Sequence, residues 1–368
     1  MATALGVPQQ ICARAQELAD QVAARTGVGV DATQLLTGRA LQMGWGPRGP
    51  VSAGGATRLL GGVDGWCALT LARADDLDAV PALIGADRVD DPWRAVQDMV
   101  DGHGVAEVVE RARLLGLPAA VLGESAAAAP RIRTTAPPRH RPYAQLLVVD
   151  LSSMWAGPLC GHLLARAGAT VVKVESPQRP DGTRAGPVAF YDWMNGGKLS
   201  YAVDFDDAEA LRRLLSVADV VIEASRPAAL RRRGLGPDAG ESRAGRVWVQ
   251  ITGHGADAPG SDWVAFGDDA AVSGALVGYD GGRPVFVGDA IADPLTGLQA
   301  ADAVTASLSR GGGELIEISM AATAARYAGL GGELVCAAVP EPGGTAPESG
   351  ADNVRVRAIV EERRSVPC

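Results

Sequence analysis

The sequence predicts an α/β protein: a doubly wound, Rossmann-like parallel sheet domain, preceded by a smaller α+β domain. Three observations carry this expectation. After residue 143, short continuous apolar runs such as LLVVDL, DVVIE and VWVQIT alternate with helical segments, the pattern of strands covered on both faces. Before residue 126 the order is loop, strand and then helices in series, which fits a small α+β unit. Between them, Ala126–Pro142 combines an alanine run with four prolines and four arginines and has no apolar period. That stretch reads as a linker or an extended crossing strand, because residues before proline are pushed away from helix. The expected division is 1–125, a linker over 126–142, the sheet domain over 143–338 and a tail over 339–368. A length of 368 residues and 37.7 kDa supports two domains.

In chain order, Pro8–Thr26 reads as a helix. Gly46–Gly62 is a glycine-rich loop region around a short strand at Thr57–Leu60, and Gly65–Ala72 is the next strand. Helices are expected over Asp75–Ile84, Pro92–Met99 and Gly104–Leu115. In the second half, Leu146–Leu151 is a strand and Gly157–Arg166 a helix, with Pro158 in a first turn that needs no N–H there. Strands follow at Thr170–Glu175 and Leu199–Asp204, then a helix over Asp207–Val217 capped by Asp206 or Asp207. Asp219–Glu223, Val247–Thr252 and Pro284–Gly288 are further strands. A helix then runs to about Ser309, and Gly313–Ser319 leads into a last helix from Met320. Ligands of such folds sit beyond the strand carboxyl ends.

Composition narrows the function. At 47% apolar and 21% charged residues, bulk disorder is excluded. A net charge of −9 and a pI of 5.1 argue against nucleic-acid binding, which needs basic stripes. No run of about 18 uncharged apolar residues occurs, so no membrane span is expected. The opening MATALGVPQQICARAQELAD lacks the features of a signal peptide, and a cytoplasmic protein is expected. The five cysteines, Cys12, Cys67, Cys160, Cys336 and Cys368, are scattered without a CxxC pair and read as free thiols. His103, His140, His162 and His254 show no metal-binding spacing, so no metal is expected. With so few histidines, an acid, base or nucleophile is expected to be a carboxylate.

The turn after the first strand of the second half, Ser152-Ser153-Met154-Trp155-Ala156-Gly157-Pro158, has one glycine where a dinucleotide fingerprint has three. NAD is therefore not expected, although small residues there let an anionic ligand approach a helix end. Further along, Asp293 precedes Pro294, and on its own reads as an N-cap.

The string VVDLSSMWAGPLCGHLLARAGATVVKVESPQRPDGTR, Val148–Arg184, resembles the opening of family III CoA-transferases. Further segments match that family in order. They are Asn195–Lys198 with its following strand, and Asp219–Glu223 with Arg226-Pro227 and Gly234-Leu235-Gly236. Val249–Gly255 and Gly313–Ser319 follow. The N-terminal part is similar to the family's small domain through Arg48–Trp66 and Leu114–Pro118, placed before the large domain where the family has it after. The resemblance implies CoA transfer between an acyl-CoA and a free carboxylic acid, with CoA as the carrier and no metal. It places Asp293 at the nucleophile, in the register Gly288–Gly297, with Asp289 as a rival. Gly54 and Gly55 would form a mobile flap. Ser153, Met154, Trp155, Ala156, Ser225, Arg226 and Arg232 would contact CoA. It further implies an interlocked homodimer, or a second family III chain as partner.

Departures are also visible. Gly267-Asp268-Asp269 stands where racemases of the family have Gly-His-Asp, which disfavours an imidazole proton relay. His254 replaces an aromatic residue and is a substitute base or a structural loop histidine. Ala224-Ser225 replaces an Asn-Phe pair, and Gly196 an arginine. The alternatives are an acyl-CoA racemase or isomerase of the same fold, and a catalytically silent CoA-binding or partner subunit.

Overall fold

The computed structural model describes residues 4–240, 242–340 and 343–365. Its first elements are a two-residue strand, β1 (Val7–Pro8), and helices α1 (Gln9–Thr26) and α2 (Ala32–Met43). On α1, Ile11, Cys12, Ala15, Ala19 and Val22 form one buried stripe, the spacing of a helix with a single apolar face. Full burial of side chains such as Ile11 or Val22 is worth about 1.5–3 kcal/mol each. Gly27 closes α1 in the left-handed region, and the Asp31 carboxylate caps α2 by accepting the Gln34 N–H. These helices do not join the small domain expected over 1–125. They bury their stripe in one cluster with Val148, Leu295 and Ile316 of the large sheet's layer, and Arg25 pairs with Asp302 at 2.7 Å.

The small unit begins at β2 (Thr57–Gly62), which forms an antiparallel hairpin with β3 (Gly65–Thr70). The helix expected over Asp75–Ile84 is two short ones, α3 (Ala74–Asp78) and α4 (Val80–Ile84). Pro81 cannot donate a hydrogen bond to Leu77, so the first helix stops before it. Then come α5 (Pro92–His103), capped by Asp91, α6 (Val105–Leu114) and β4 (Ala119–Val121), which pairs antiparallel with β3. Leu69, Leu83, Val100, Val109 and Leu117 give this unit its own core.

The segment expected as a linker or an extended crossing strand contains a strand, β5 (Arg131–Thr134), antiparallel to the last sheet strand. The alternation then runs β6 (Leu147–Asp150), α7 (Ala156–Arg166), β7 (Thr170–Glu175), α8 (Val188–Asn195) and β8 (Leu199–Ala202). It continues with α9 (Ala208–Val217), capped by Asp207, then β9 (Val220–Glu223), α10 (Pro227–Arg231) and β10 (Val247–Thr252). Next are α11 (Gly267–Ser273), a hairpin of β11 (Val277–Asp280) and β12 (Arg283–Phe286), and α12 (Ala292–Ser309). The chain finishes with β13 (Glu314–Ser319), α13 (Met320–Ala325), β14 (Leu334–Val335) and α14 (Asn353–Ser365).

The large sheet has the order β5-β13-β10-β9-β6-β7-β8, parallel except for β5. Its six parallel strands therefore follow the dinucleotide-fold order 3-2-1-4-5-6, reversing direction between β6 and β9. Separate apolar clusters cover its two faces, as a doubly wound sheet requires. The expected tail is part of this fold as well. Val356 and Val360 of α14 pack with Leu147 and Leu214. Just before and at its start, Asp352 and Asn353 accept the Ser200 and Ala202 N–H groups of β8 at 2.9 Å, which protects that sheet edge. β1 and β14 pair antiparallel. α12 lies against α7, where a Cβ on Gly297 would come within 2.6 Å of the Ala156 carbonyl.

Candidate active site

Three helices start at one carboxylate. α12 begins at Ala292, two residues earlier than an N-cap role for Asp293 requires, so Asp293 lies inside the first turn. The backbone N–H groups of Gly267 and Ala156, the first residues of α11 and α7, favour its charged form. The expected self-capping aspartate instead faces the free N–H ends of two neighbouring helices. A Cβ on Gly267 would overlap the Asp293 carboxylate and the Ala290 carbonyl, which explains a glycine there. Asp293 keeps part of its surface open. Burial pushes its pKa up to about 6, against the opposing pull of Arg39.

Two more carboxylates flank it. Asp289 is almost fully buried and forms a two-pronged ion pair with Arg39, Nε–Oδ2 at 2.7 Å and Nη2–Oδ1 at 2.6 Å. The Asp268 carboxylate accepts the Ala290 N–H at 3.0 Å and faces Thr57 Oγ1 at 3.5 Å. Burial and the nearby Asp289 raise its pKa to about 7. The following Asp269 accepts from Thr70 Oγ1 at 2.9 Å, which ties the small unit's hairpin to α11.

Arg39 was not anticipated. It comes from α2, and its guanidinium lies 4.4 Å from the Trp155 ring centre, 5.3 Å from Phe190 and 5.7 Å from Trp45. An arginine in a helix carries no sequence signal for such a place.

The turn leading into α7 is held by two buried ion pairs. Asp150 accepts from Ser152 and pairs with Lys198 at 2.9 Å. Lys173 pairs with Asp181 at 2.7 Å and donates to the Ser152 carbonyl. Asp181 accepts the Met154 N–H at 3.1 Å. Burial works to raise its pKa, yet Lys173 holds it down at about 2. Met154 has φ 73° and Ala290 φ 42°, so two of the three non-glycine residues with positive φ among those described flank Asp293's supports. Such strain persists only where the surroundings enforce it.

The expected CoA contacts fall in two groups at neighbouring strand ends, after β6 and after β9. Ser153 is exposed and Met154 half-buried, whereas Ala156 is buried and its backbone N–H favours the charged form of Asp293. Trp155 differs from its neighbours. Its side chain is fully buried and meets Phe190 edge to face at 5.2 Å, so the indole belongs to the core beneath Arg39. Ser225 Oγ donates to Glu223 at 3.0 Å, and Arg226 and Arg232 are exposed at the two ends of α10. Glu223, which the sequence reading did not single out, is buried and also takes bonds from Trp248 and Gln250; burial raises its pKa to about 7. A Cβ on Gly54 would come within 3.3 Å of the Trp45 ring, and Gly55 turns the chain at φ 83°. Trp45 and Thr57 thus bring this turn to the rim of the carboxylate cluster.

His254 stands apart. It meets Trp263 edge to face at 5.3 Å and lines a cavity of about 420 Å³ between the ends of β10 and β13, with Thr252 and Arg131 but without Asp293. Burial lowers its pKa to about 4. Cys12, Cys67, Cys160 and Cys336 are free thiols, and Cys368 lies outside the described residues. Among the described residues no helix is long and apolar enough to cross a membrane, and no cluster of three or more His, Cys, Asp or Glu is arranged to hold a metal ion.

A parallel sheet with a helix-end carboxylate at its direction change defines the class, and the family follows. The chain belongs to CoA-transferase family III, whose model matches residues 143–353. It is 34% identical over 197 residues to a succinate–glutarate CoA-transferase of Agrobacterium fabrum, covering 48% of this chain and 49% of that one. It is 35% identical over 182 residues to the human succinyl-CoA:glutarate CoA-transferase, covering 46% and 42%. A crystal structure of a hypothetical protein from Mycobacterium tuberculosis aligns at TM-score 0.45 and 28% identity, over 53% of this chain and 57% of that one. The aligned region spans about half the length of the curated relatives.

Proposed function

We propose that this protein moves CoA between an acyl-CoA and a free carboxylic acid, with Asp293 as the covalent nucleophile. The observation that carries the proposal is a partly open carboxylate in the first turn of α12 that lies against Gly267 at the start of α11, with the N–H end of α7 also favouring its charge. An ionised Asp293 oxygen attacks the thioester carbonyl, the C–S bond breaks, and CoA leaves as thiolate from a mixed anhydride. The thiolate then attacks Asp293 Cγ, releasing the first acid as carboxylate and leaving an aspartyl-CoA thioester. The incoming carboxylate attacks that Cγ and expels the thiolate, which takes the new acyl group and frees Asp293. Each step exchanges one leaving group for another with no net proton or electron, which is the advantage of covalent catalysis here. Helix-end N–H groups are suited to the tetrahedral oxyanions.

CoA would lie along the turn Ser153–Ala156 and the stretch from Ser225 and Arg226 to Arg232, with Gly54 and Gly55 as the flap over Asp293. The arginines would gather the positive charge that an acidic protein needs for CoA phosphates. Relatives named for succinate and glutarate make succinyl-CoA the first donor to test. After incubation with succinyl-CoA and hydroxylamine trapping, intact-protein mass spectrometry is expected to show a hydroxamate adduct that maps to Asp293. Its persistence in Asp293→Asn would sink the assignment. We further propose a homodimer, checked by light scattering against the 37.7 kDa chain; a second family III chain that copurifies would replace it.

A second reading, acyl-CoA racemisation or isomerisation, is favoured by Asp268, a carboxyl raised to about 7 beside Asp293 where an imidazole is missing. Deuterium entry at the substrate α-carbon from heavy water, lost in Asp268→Asn, would support it.

A further inference from the structure

Asp268, Asp289 and Asp293 surround the single guanidinium of Arg39, and all three act on it electrostatically. Arg39 is locked on two sides. Its fork holds Asp289 at 2.6 and 2.7 Å, and its face lies over Trp155 and Phe190, which are themselves packed edge to face at 5.2 Å. Moving it would require repacking two buried aromatic rings. A lysine would keep the charge but lose both fork and stack.

From Asp289 the constraint passes along the backbone. Ala290, the next residue, sits at φ 42°. Its N–H is held by Asp268 at 3.0 Å, and its carbonyl accepts the Asp293 N–H at 2.8 Å. The turn that aims Asp293 is therefore pinned at its start by Arg39 and at its middle by Asp268. Arg39 lies outside the residues that match the family model, 143–353, so α2 completes a site otherwise built by the second half of the chain.

We propose that Arg39 is a positioning residue for Asp293: it anchors Asp289 and, through it, the strained 289–293 turn, with its positive charge acting on the Asp293 carboxyl. The transferase role it would serve rests on the reading given above, but the positioning does not depend on turnover. Its test is carbodiimide labelling of the full chain across pH, with peptide mass spectrometry reading Asp293 separately from Asp268 and Asp289. Carbodiimide attacks the protonated carboxyl, so wild-type labelling is expected to fall with a midpoint near 6. Arg39→Gln is expected to raise that midpoint by about one pH unit or more. Arg39→Lys keeps the charge and is expected to hold the midpoint near the wild-type value, while kcat for CoA transfer falls about 10- to 100-fold with little change in KM. Asp289→Asn keeps the guanidinium, removes one negative charge and is expected to lower the midpoint, which covers the case where Arg39→Gln does not fold. An unchanged midpoint in whichever of Arg39→Gln and Asp289→Asn fold, or a wild-type kcat in Arg39→Lys, overturns the proposal. If the midpoints move as expected while no acyl-CoA forms an adduct, the transferase reading fails and the positioning stands.

Discussion

Asp268 and Asp293 are carboxyls that the folded chain keeps protonated to an unusually high pH, near 7 and 6. Because the folded state binds protons more tightly here than the unfolded state, their contribution to stability is fully present below about pH 4. It is lost as pH rises through 6 and 7. Asp268→Asn, which keeps an oxygen to accept the Ala290 N–H, is therefore expected to be more stable than wild type at pH 8. The gain is on the order of 1–2 kcal/mol after allowing for the group's partial exposure, shrinking toward pH 4. Urea midpoints at the two pH values read this directly; a difference that grows on acidification would contradict it. At this scale Asp293 could be proposed from the sequence because its register stands within one short motif. Arg39 could not, because its partner Asp289 lies 250 residues away in sequence and only the fold joins them.

Among the elements, the turn between β6 and α7 depends most on buried charge. Lys198 and Asp150 have fully buried side chains and bond each other, with Lys198 also donating to Asn195 and the Pro158 carbonyl. Lys198→Met would leave Asp150 without its cation, at a cost of about 3–5 kcal/mol. Urea unfolding is expected to show that loss, and a change below about 1 kcal/mol would mean the pair is dispensable. The parallel strands of the large sheet were legible as short, mainly apolar runs, since a strand buried on both faces leaves little room for polar alternation. β5 was legible only as one of two readings of its segment, because Arg131-Ile132-Arg133-Thr134 is exposed along an edge and carries no apolar period. α14 was missed for a related reason: only Val356 and Val360 of its length are buried.

Taken whole, the molecule is less modular than its sequence suggests. α1 and α2 cover the same face of the sheet as α7 and α12, so the segment 143–353 lacks part of its own core. That fragment, produced alone, is expected to fail to fold cooperatively, whereas residues 1–365 unfold with a sharp transition. Circular dichroism through a thermal ramp separates the outcomes, and a cooperative, monomeric fragment would show that the N-terminal helices are an accessory. The small unit was legible as a unit because its helices and hairpin contact one another in sequence order. The covering helices were assigned to it only by proximity along the chain.

The pairing of Arg25 with Asp302 spans 277 residues, and this separation has a price during synthesis. At ribosomal speeds of about 5–20 residues per second, α1 emerges roughly 15 to 55 s before α12 exists to receive it. Through that interval Ile11, Ala15 and Val22 face water, while the small unit, complete by residue 121, can already close around its own core. The newborn chain thus carries a folded bead and an uncovered greasy helix at once. Its yield in a cell should respond to holdase chaperones that shield the leading helix more than to those acting on the finished protein.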